Sequence, residues 1–472
     1  MTSALPLTPA TPETPATPED QTTPRLLPLT IVLCALFWII ATTGGYQVFV
    51  KEYLGSSWDS QGEHFLRGNV NVDPEDISSE AMIVNGQPRM YFGPFPALFR
   101  IPLNFIYPAG RGTWSRTAGF SAGVIALVSF AGLVSAALRS SRLSRRWKTW
   151  VGSFCLVGFA FGSPLLFFVS SPTIYNEAII WGFSWSIASL YFAVRTRITE
   201  GKALTRALLG FSFCVGATVL SRVTFAAPLL LMVPVLGFGL LRKVQIRNLA
   251  ALCLPAGIAL LAYLLLNHAK FGTFGGVNLD YYINGEQRDF AKKYGLFDLH
   301  RVPYSFVDYF ALVRPLHQHN SFPFLQAERF HWYRYPTLFV VPNSETFGSL
   351  LWFSSWVLLG AVIGIALLFL PRRTDMVDRG MALALLFQVL VILSFMGLAQ
   401  RYIAEIYPFL VFCFIIFLRG RGPTFVAVRI ALFALVLVSI TINTLGTASI
   451  VGHDGNLPFE TRSFWTLGKA PR

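Results

Sequence analysis

Carboxylates are concentrated in the hydrophilic segment that follows the first apolar run of the chain. Asp59 and Glu63 are four residues apart, so both would point from one face of a short helix, with His64 beside them. Two neighbouring carboxylates can act as a general base and its orienting partner, or can bind a metal ion. A solvated loop that carries charge for solubility is the alternative interpretation. Asp59 and Glu63 are therefore the candidate catalytic residues, and Asp59 is the stronger because it lies close to the end of the apolar run.

A second group of ionisable residues lies at the ends of apolar segments. Glu177 begins one segment, Arg222 lies between two, and Arg401 and Glu405 begin another. An ionisable side chain at the centre of a membrane helix costs about 2.5–3.5 kcal/mol on insertion scales, so such groups tend to mark function, reach the interface or pair. These two acidic and two basic residues come from three different hairpins and are predicted to lie at the same depth in the membrane. This convergence favours a shared site. Pairing among these groups is the alternative.

The composition indicates a membrane protein. Of the 472 residues, 54% are hydrophobic and 13% are charged, and the mean hydropathy is +0.54. Soluble domains of average composition are less apolar. The apolar segments are about 18–25 residues long, which is the length of one membrane-crossing helix. Most of the basic residues behind the net charge of +14 lie in short breaks between these segments, where they set topology, so no nucleic-acid partner is expected.

The segments predict an all-α polytopic membrane fold. A Thr/Pro-rich tail at 1–28, which contains the repeat TPATPETPATPE, is too polar to bury a core and is expected to be disordered. A helical domain is expected at 29–443, with long loops at 51–114 and 268–345, followed by a tail at 444–472. About eleven transmembrane helices are predicted, at 29–50, 115–138, 151–169, 178–194, 207–221, 223–241, 248–267, 346–370, 380–397, 402–418 and 424–443.

The short basic breaks predict how these helices are oriented. If the N-terminus is cytoplasmic, all five breaks fall on the cytoplasmic side, as the positive-inside rule requires. They lie at 139–148, 195–206, 242–247, 371–379 and 419–422. The sequence therefore predicts a multi-pass protein of the cytoplasmic membrane in which both long loops and the C-terminal tail are extracytoplasmic.

The stretch MYFGPFPALFRIPL, residues 90–103, joins the first long loop to the next membrane segment. Three prolines within it interrupt the backbone hydrogen bonding of a helix. We expect a turn at GPFP and then a short amphipathic piece along the membrane interface, with Phe99 and Leu103 in lipid and Arg100 toward the headgroups.

Several stretches together resemble the C-type membrane glycosyltransferases, which use polyprenyl-phosphate-linked sugars. They are the early Asp of the first loop and the sequences NGQPRMYFGPFPALFRIPL, YNEAIIWG, NHAKFGTFG and RYIAEIYPFL. The resemblance covers about residues 30–440, and its motifs are loose. It implies a bundle of 11–13 helices and an extracytoplasmic active site beneath the first loop.

The resemblance also implies roles for individual residues. The early carboxylate, which takes a proton from the acceptor, matches Asp59, although the sequence WDSQGE departs from the commoner DE or DxD pattern and leaves a divalent cation open. Arg401 matches a basic residue near the lipid phosphate, and Arg89 and Tyr91 would line the same cavity. The donor site is completed by Glu177, Arg222 and Tyr402.

The implied reaction is an inverting transfer to an extracytoplasmic glycan, lipid or protein in the cell envelope. Arginines at the interface would stabilise the phosphate leaving group. Exposed aromatic residues would stack on sugar rings, although aromatic belts are common at membrane interfaces. The residues in question are Trp58, Tyr91, Tyr281, Tyr282, Trp332 and Tyr333. Two other classes remain open: a transporter or lipid flippase, and a noncatalytic relative of the transferases.

Overall fold

A computed structural model describes residues 23–241, 245–275, 278–311, 316–320, 322–327, 337–340, 348–370, 374–420 and 424–468. The first 22 residues of the predicted disordered tail therefore lie outside the described residues. The structure is almost entirely helical, as the sequence predicts. In chain order its helices are α1 (Leu27–Ala41), α2 (Ser57–Leu66), α3 (Pro74–Ile77), α4 (Phe95–Ile106), α5 (Ser115–Arg139), α6 (Arg145–Phe161), α7 (Leu165–Ser170), α8 (Ile174–Thr196), α9 (Gly201–Ser221), α10 (Val223–Leu241), α11 (Ile246–Phe271), α12 (Gly285–Tyr294), α13 (Val302–Phe306), α14 (Leu350–Phe353), α15 (Ser355–Leu368), α16 (Met376–Ser394), α17 (Ile403–Arg419), α18 (Val426–His453) and α19 (Phe459–Trp465).

Two small antiparallel hairpins lie in the long loops. Strand β1 (Met82–Val84) pairs with β2 (Gln87–Arg89) in the first loop, and β3 (Leu316–Gln318) pairs with β4 (Leu325–Ala327) in the second. Each hairpin has strands of three residues, so neither is stable without the helices beneath it.

Within the described residues, each of the eleven predicted spans contains helix, although several helix ends differ from the prediction. In the described part of the chain, seven helices are long and apolar enough to cross a membrane: α5, α8, α9, α11, α16, α17 with its preceding turn, and α18. The shorter apolar helices α1, α4, α10 and α15 add to them. The predicted span 151–169 is broken between α6 and α7, where Pro164 has no N–H to continue the ladder. The all-α polytopic membrane fold is thus confirmed.

Helices α17 and α8 form the centre of the bundle. Every residue of α17 from Ile403 to Leu418 is buried, and so is most of α8. By contrast, α11 and α18 expose apolar side chains along much of their length, as expected for helices that face lipid. Helix α18 continues to His453, so 444–453 belong to it, and Thr461 of α19 accepts a hydrogen bond from Arg116 of α5.

The two ends of the bundle differ in charge. At one end, the breaks after α8 and before α16 meet in an ion pair between Arg197 and Asp375, and Arg419 at the end of α17 pairs with Asp378 at 3.3 Å. We call this the basic end. The first and second long loops lie at the opposite end, which we call the loop end.

The GPFP turn packs directly onto the bundle. A Cβ at Gly93 would lie 2.3 Å from the carbonyl oxygen of Leu220 and 2.7 Å from that of Ser221. Carbon atoms do not approach backbone oxygens so closely, so only glycine fits here without backbone movement. The turn therefore holds the end of β2 and Tyr91 against the end of α9.

Helix α4 follows this turn, as predicted, and has one apolar face. Its most exposed side chains include Leu98, Phe105 and Ile106, spaced for one helical stripe, which fits an interfacial helix. Arg100 lies on the other side and is fully buried. The prediction that Arg100 faces the headgroups is wrong, because carboxylates from α2 and α8 lie within reach of its guanidinium.

Arg301 organises the second loop. Its buried guanidinium donates hydrogen bonds to backbone carbonyls of Tyr294, Gly295 and Leu296 at the end of α12, and to those of Leu338 and Ser394. Two of these carbonyls also accept backbone hydrogen bonds, that of Leu296 from Met396 and that of Ser394 from Asp298. One cation thus joins the loop to the end of α16.

Asp308 makes the stability of the second loop depend on pH. Burial raises the pKa of the Asp308 carboxyl to about 7. Since this pKa is above that of the unfolded chain, about 3.9, the protonated carboxyl stabilises the fold below about pH 4, and this contribution is lost as the pH rises through 7. We expect Asp308→Asn to flatten the decline in thermal midpoint between pH 4.5 and 7.5. Asp289→Asn, in an exposed carboxylate of the same loop, should leave the decline unchanged; an equally steep decline in both variants would contradict the assignment.

Candidate active site

Asp59 lies in a fully buried cluster of three charges. Arg100 donates from Nη1 to Asp59 Oδ2 at 2.5 Å and from Nη2 to Glu177 Oε2 at 2.5 Å. The side chains of all three are fully buried. We call Asp59, Arg100 and Glu177 the buried triad. With all three groups ionised, the buried triad has a net charge of −1, because its two carboxylates are compensated by the single guanidinium of Arg100.

The remaining contacts of Asp59 occupy both of its oxygens. Oδ1 accepts from the amide of Asn104 at 2.7 Å, and Oδ2 accepts also from the backbone N–H of Gly112 at 3.2 Å. Helices α2 and α4 and the loop before α5 are therefore tied together at this carboxylate. In this arrangement Asp59 has the contacts of a structural ion pair and no surface open to an acceptor.

Glu63, the other predicted catalytic carboxylate, lies in a separate network. Arg111 donates from Nε to Glu63 at 2.6 Å, and its Nη2 contacts Asp73 at 3.3 Å and Asp76 at 3.0 Å. These carboxylates raise the pKa of the Arg111 guanidinium above its ordinary value. The network is partly exposed, so it holds segments of the first loop together and does not form an enclosed active site.

Arg222 and Glu405 pair with each other. Arg222 Nε donates to Glu405 Oε1 at 2.7 Å, and the amide of Gln388 donates to Oε2 at 2.9 Å. Glu405 is buried, so this pair links the α9–α10 turn to α16 and α17. The alternative noted from the sequence, pairing among these groups, holds for Arg222 and Glu405.

A cluster of tyrosines surrounds one carboxylate of the first loop. Glu80 Oε2 accepts from the hydroxyl of Tyr282 at 3.0 Å and from that of Tyr91 at 3.2 Å. Burial and the nearby Glu80 carboxylate raise the pKa of the Tyr91 and Tyr282 hydroxyls. Both therefore stay protonated at neutral pH and can donate to Glu80.

Arg401 forms the other side of this cluster. Its guanidinium carbon lies 4.8 Å from the ring centroid of Tyr175 and 5.4 Å from that of Tyr402. Stacking on aromatic faces fixes the orientation of the planar guanidinium. We call Glu80, Tyr91, Tyr175, Tyr282, Arg401 and Tyr402 the tyrosine cluster.

Two further cations lie next to the tyrosine cluster. Lys270, at the end of α11, is 1% exposed and donates to the backbone carbonyl of Phe92 at 3.2 Å. Arg89 donates to the carbonyls of Ala269, at 3.1 Å, and Lys270. Within the described part of the chain, neither cation has a carboxylate within 4.0 Å. A buried ammonium without a counter-ion is costly, and a bound anion would relieve that cost.

These contacts divide the predicted site residues into two sets. Arg89, Tyr91, Arg401 and Tyr402 lie together at the tyrosine cluster. The others lie in ion pairs: Asp59 and Glu177 with Arg100, Glu63 with Arg111, and Arg222 with Glu405. Trp58, predicted to stack on sugar, is completely buried and cannot do so, and Trp332 and Tyr333 lie outside the described residues.

Sequence reasoning missed three members of the site. Glu80 was one carboxylate among seven in the first loop, and its separation from Tyr282 by 202 residues hides the pairing. Lys270 lies within NHAKFGTFG, one of the stretches that carries the resemblance, but nothing local marks it as buried. Tyr175 is the first residue of YNEAIIWG, another of these stretches, but its contact with Arg401 depends on how distant segments pack.

The carboxylates do not fit a divalent cation. Across the described ranges, no group of three His, Cys, Asp or Glu side chains is arranged to hold a metal ion. The oxygens of Asp59 face Arg100, Asn104 and Gly112, and the acids near Glu63 converge on the guanidinium of Arg111. These carboxylates therefore neutralise arginine side chains rather than form a metal site.

No protein-family model and no curated protein matches the chain. Several solved structures are similar to the chain. ArnT from Cupriavidus metallidurans, bound to undecaprenyl phosphate, is similar over 94% of this chain and 75% of that one, with 13% identity and a TM-score of 0.46. The oligosaccharyltransferase of Archaeoglobus fulgidus in the apo form is similar over 94% of this chain and 56% of that one, with 14% identity and a TM-score of 0.44.

A third solved structure is AglB from Archaeoglobus fulgidus in complex with an inhibitory peptide and a dolichol-phosphate, with a TM-score of 0.42 at 14% identity over 94% of this chain. This chain spans 56% of the length of both archaeal chains. The class that the chain's own fold defines is a polytopic helical membrane protein.

Proposed function

We propose that this protein is a membrane glycosyltransferase that moves a sugar from a polyprenyl-phosphate donor to an acceptor hydroxyl at the loop end of the bundle. The proposal places the loop end on the extracytoplasmic side of the cytoplasmic membrane, where the acceptor is a glycan, lipid or protein. The observation that carries it is that Arg401 stacks on Tyr175 and Tyr402 of the tyrosine cluster, while Lys270 donates to the carbonyl of Phe92, next to Tyr91.

The positive charge of these side chains would stabilise the leaving group of this reaction. As the bond between the sugar and the phosphate breaks, negative charge develops on the phosphate oxygens. Fixed positive groups in a site of low polarity stabilise that charge more than water does. Arg401 is oriented by two tyrosine rings, and Lys270 is buried, so both are held in place before a donor arrives.

The base of the proposed reaction is a carboxylate of the first loop. The acceptor oxygen attacks the anomeric carbon, its proton passes to the carboxylate, and the polyprenyl phosphate leaves from the opposite face, which inverts the configuration. Asp59 would have to leave Arg100 before it could take this proton. The two hydrogen bonds that Glu80 accepts from Tyr91 and Tyr282 come from neutral hydroxyls, so the geometry favours Glu80 over the predicted Asp59.

The function is tested by transfer of labelled sugar. Membranes that contain the chain, and membranes that lack it, would receive a panel of polyprenyl-phosphate sugars. We expect incorporation into a larger glycan, lipid or protein from at least one donor only when the chain is present. Donor binding without any turnover would instead assign the chain to the noncatalytic class, and equal incorporation in both membranes would contradict the proposal.

A further inference from the structure

A hollow lies at the basic end of the bundle, far from the tyrosine cluster. It has a volume of about 430 Å³ and opens at the surface between α6 and α18. Its lining residues are Arg146, Trp147, Trp150, Phe154 and Phe433. We call it the tryptophan hollow. The proposed transfer reaction uses none of its residues.

The walls of the tryptophan hollow are aromatic. Phe154 and Phe433 stack with ring centroids 4.2 Å apart, and Trp150 packs on Phe154 at 6.3 Å. Trp147 and Trp150 remain 41% and 50% exposed. Large apolar side chains left open on a membrane protein face lipid, and tryptophan favours the level of the headgroups.

Positive charge is concentrated at the mouth of the hollow. The guanidinium carbon of Arg429 lies 4.1 Å from the ring centroid of Trp147, and Arg146 is part of the lining. In the described residues, no carboxylate lies within 4.0 Å of either arginine. Arg429 Nε is buried and has no hydrogen-bond partner there.

The start of α6 adds to this positive field. Its first turn contains Arg145 and Arg146 and no acidic residue, and the side chain of Ser144 makes no capping bond. The N–H groups at a helix start carry partial positive charge and favour an anion, so cations at this position repel them. An anion between α6 and Arg429 would relieve this repulsion.

We propose that the tryptophan hollow binds one anionic phospholipid. Its phosphate would contact Arg146, Arg429 and the start of α6, and one acyl chain would lie against Trp150, Phe154 and Phe433. The combination of charge and apolar wall selects a lipid over free phosphate, which has nothing to fill the hollow. A zwitterionic lipid would bring its own cation toward the arginines and bind less well.

Native mass spectrometry of the purified full chain, with phosphatidylglycerol or phosphatidylcholine added, tests the proposal. We expect one phosphatidylglycerol to bind in preference to phosphatidylcholine. The double variant Arg146→Gln, Arg429→Gln should weaken that binding roughly 30-fold, the effect of two basic contacts. The control Lys202→Gln, Arg206→Gln removes the same charge from α9 at the same end and should bind phosphatidylglycerol as the wild type does.

Equal loss of binding in the control, or equal binding of both lipids by the wild type, would overturn the proposal. A second measurement needs no arginine variant. Phosphatidylglycerol with brominated acyl chains should quench tryptophan fluorescence more than brominated phosphatidylcholine does, and Trp150→Phe should remove part of the difference. Inorganic phosphate at millimolar concentration should leave this quenching unchanged, and its competition would contradict a lipid site.

Discussion

Replacing Arg100 by methionine is expected to lower the free energy of unfolding by about 3–5 kcal/mol, the cost of removing one partner from a buried ion pair. The variant leaves Asp59 and Glu177 buried without the cation that both contact at 2.5 Å. Methionine is apolar and of similar length, so lost charge and hydrogen bonds, rather than a large void, cause the effect. Denaturant titration of the protein in detergent, followed by circular dichroism, measures it.

Two comparison variants make this expectation specific. Arg67→Met removes an exposed arginine that lies 3.9 Å from Glu63 and should cost less than about 1 kcal/mol. Adding Asp59→Asn and Glu177→Gln to Arg100→Met removes all three charges, and this triple variant should recover most of the lost stability. If Arg100→Met is as stable as the wild type, the buried triad does not hold the first loop to α8.

Replacing Arg401 by glutamine is expected to slow sugar transfer about 100- to 1,000-fold, the usual effect of removing one group that stabilises developing charge. Arg401 lies in the turn before α17, so its replacement should leave that helix intact while it removes a charge near the leaving group. Lysine at this position keeps the charge but loses the planar stack, so Arg401→Lys should recover only part of the rate. The measurement is the rate of labelled sugar transfer at saturating donor.

Arg67→Gln is the matched control for Arg401→Gln. Arg67 follows α2 at the loop end, and its exposed guanidinium lies 3.9 Å from Glu63, outside the tyrosine cluster. Its replacement should leave transfer unchanged. Equal rates in the wild type and Arg401→Gln would remove Arg401 from the proposed site, even if the protein proves to be a transferase.

The same assay separates the two candidate bases. If Glu80 takes the proton, Glu80→Gln should abolish transfer while donor binding persists. Asp59→Asn leaves Glu177 to pair with Arg100, so the triad becomes neutral and the fold should survive. Loss of transfer in Asp59→Asn alone would return the role of base to Asp59, as the sequence predicts.

The sequence by itself determined the class and the course of the chain. Hydropathy is a property of each segment, so it placed all eleven helical segments, and basic residues in short breaks mark the end where Arg197 and Arg419 lie. Helix ends were less well placed. Helix α1 stops at Ala41 rather than near residue 50, because the chain leaves the helical conformation at Thr43, Gly44 and Gly45, which all have positive φ angles.

Only the tertiary structure decided which charged groups meet. Arg100 and Glu177 are 77 residues apart, and Glu80 and Tyr282 are 202 residues apart, so each contact depends on how helices and loops pack. A hydropathy profile treats Arg100 as an interfacial cation, and it treats Glu80 as one more loop charge. Burial changes both interpretations. An ion that is removed from water needs a partner, and only the fold determines which partner lies within reach.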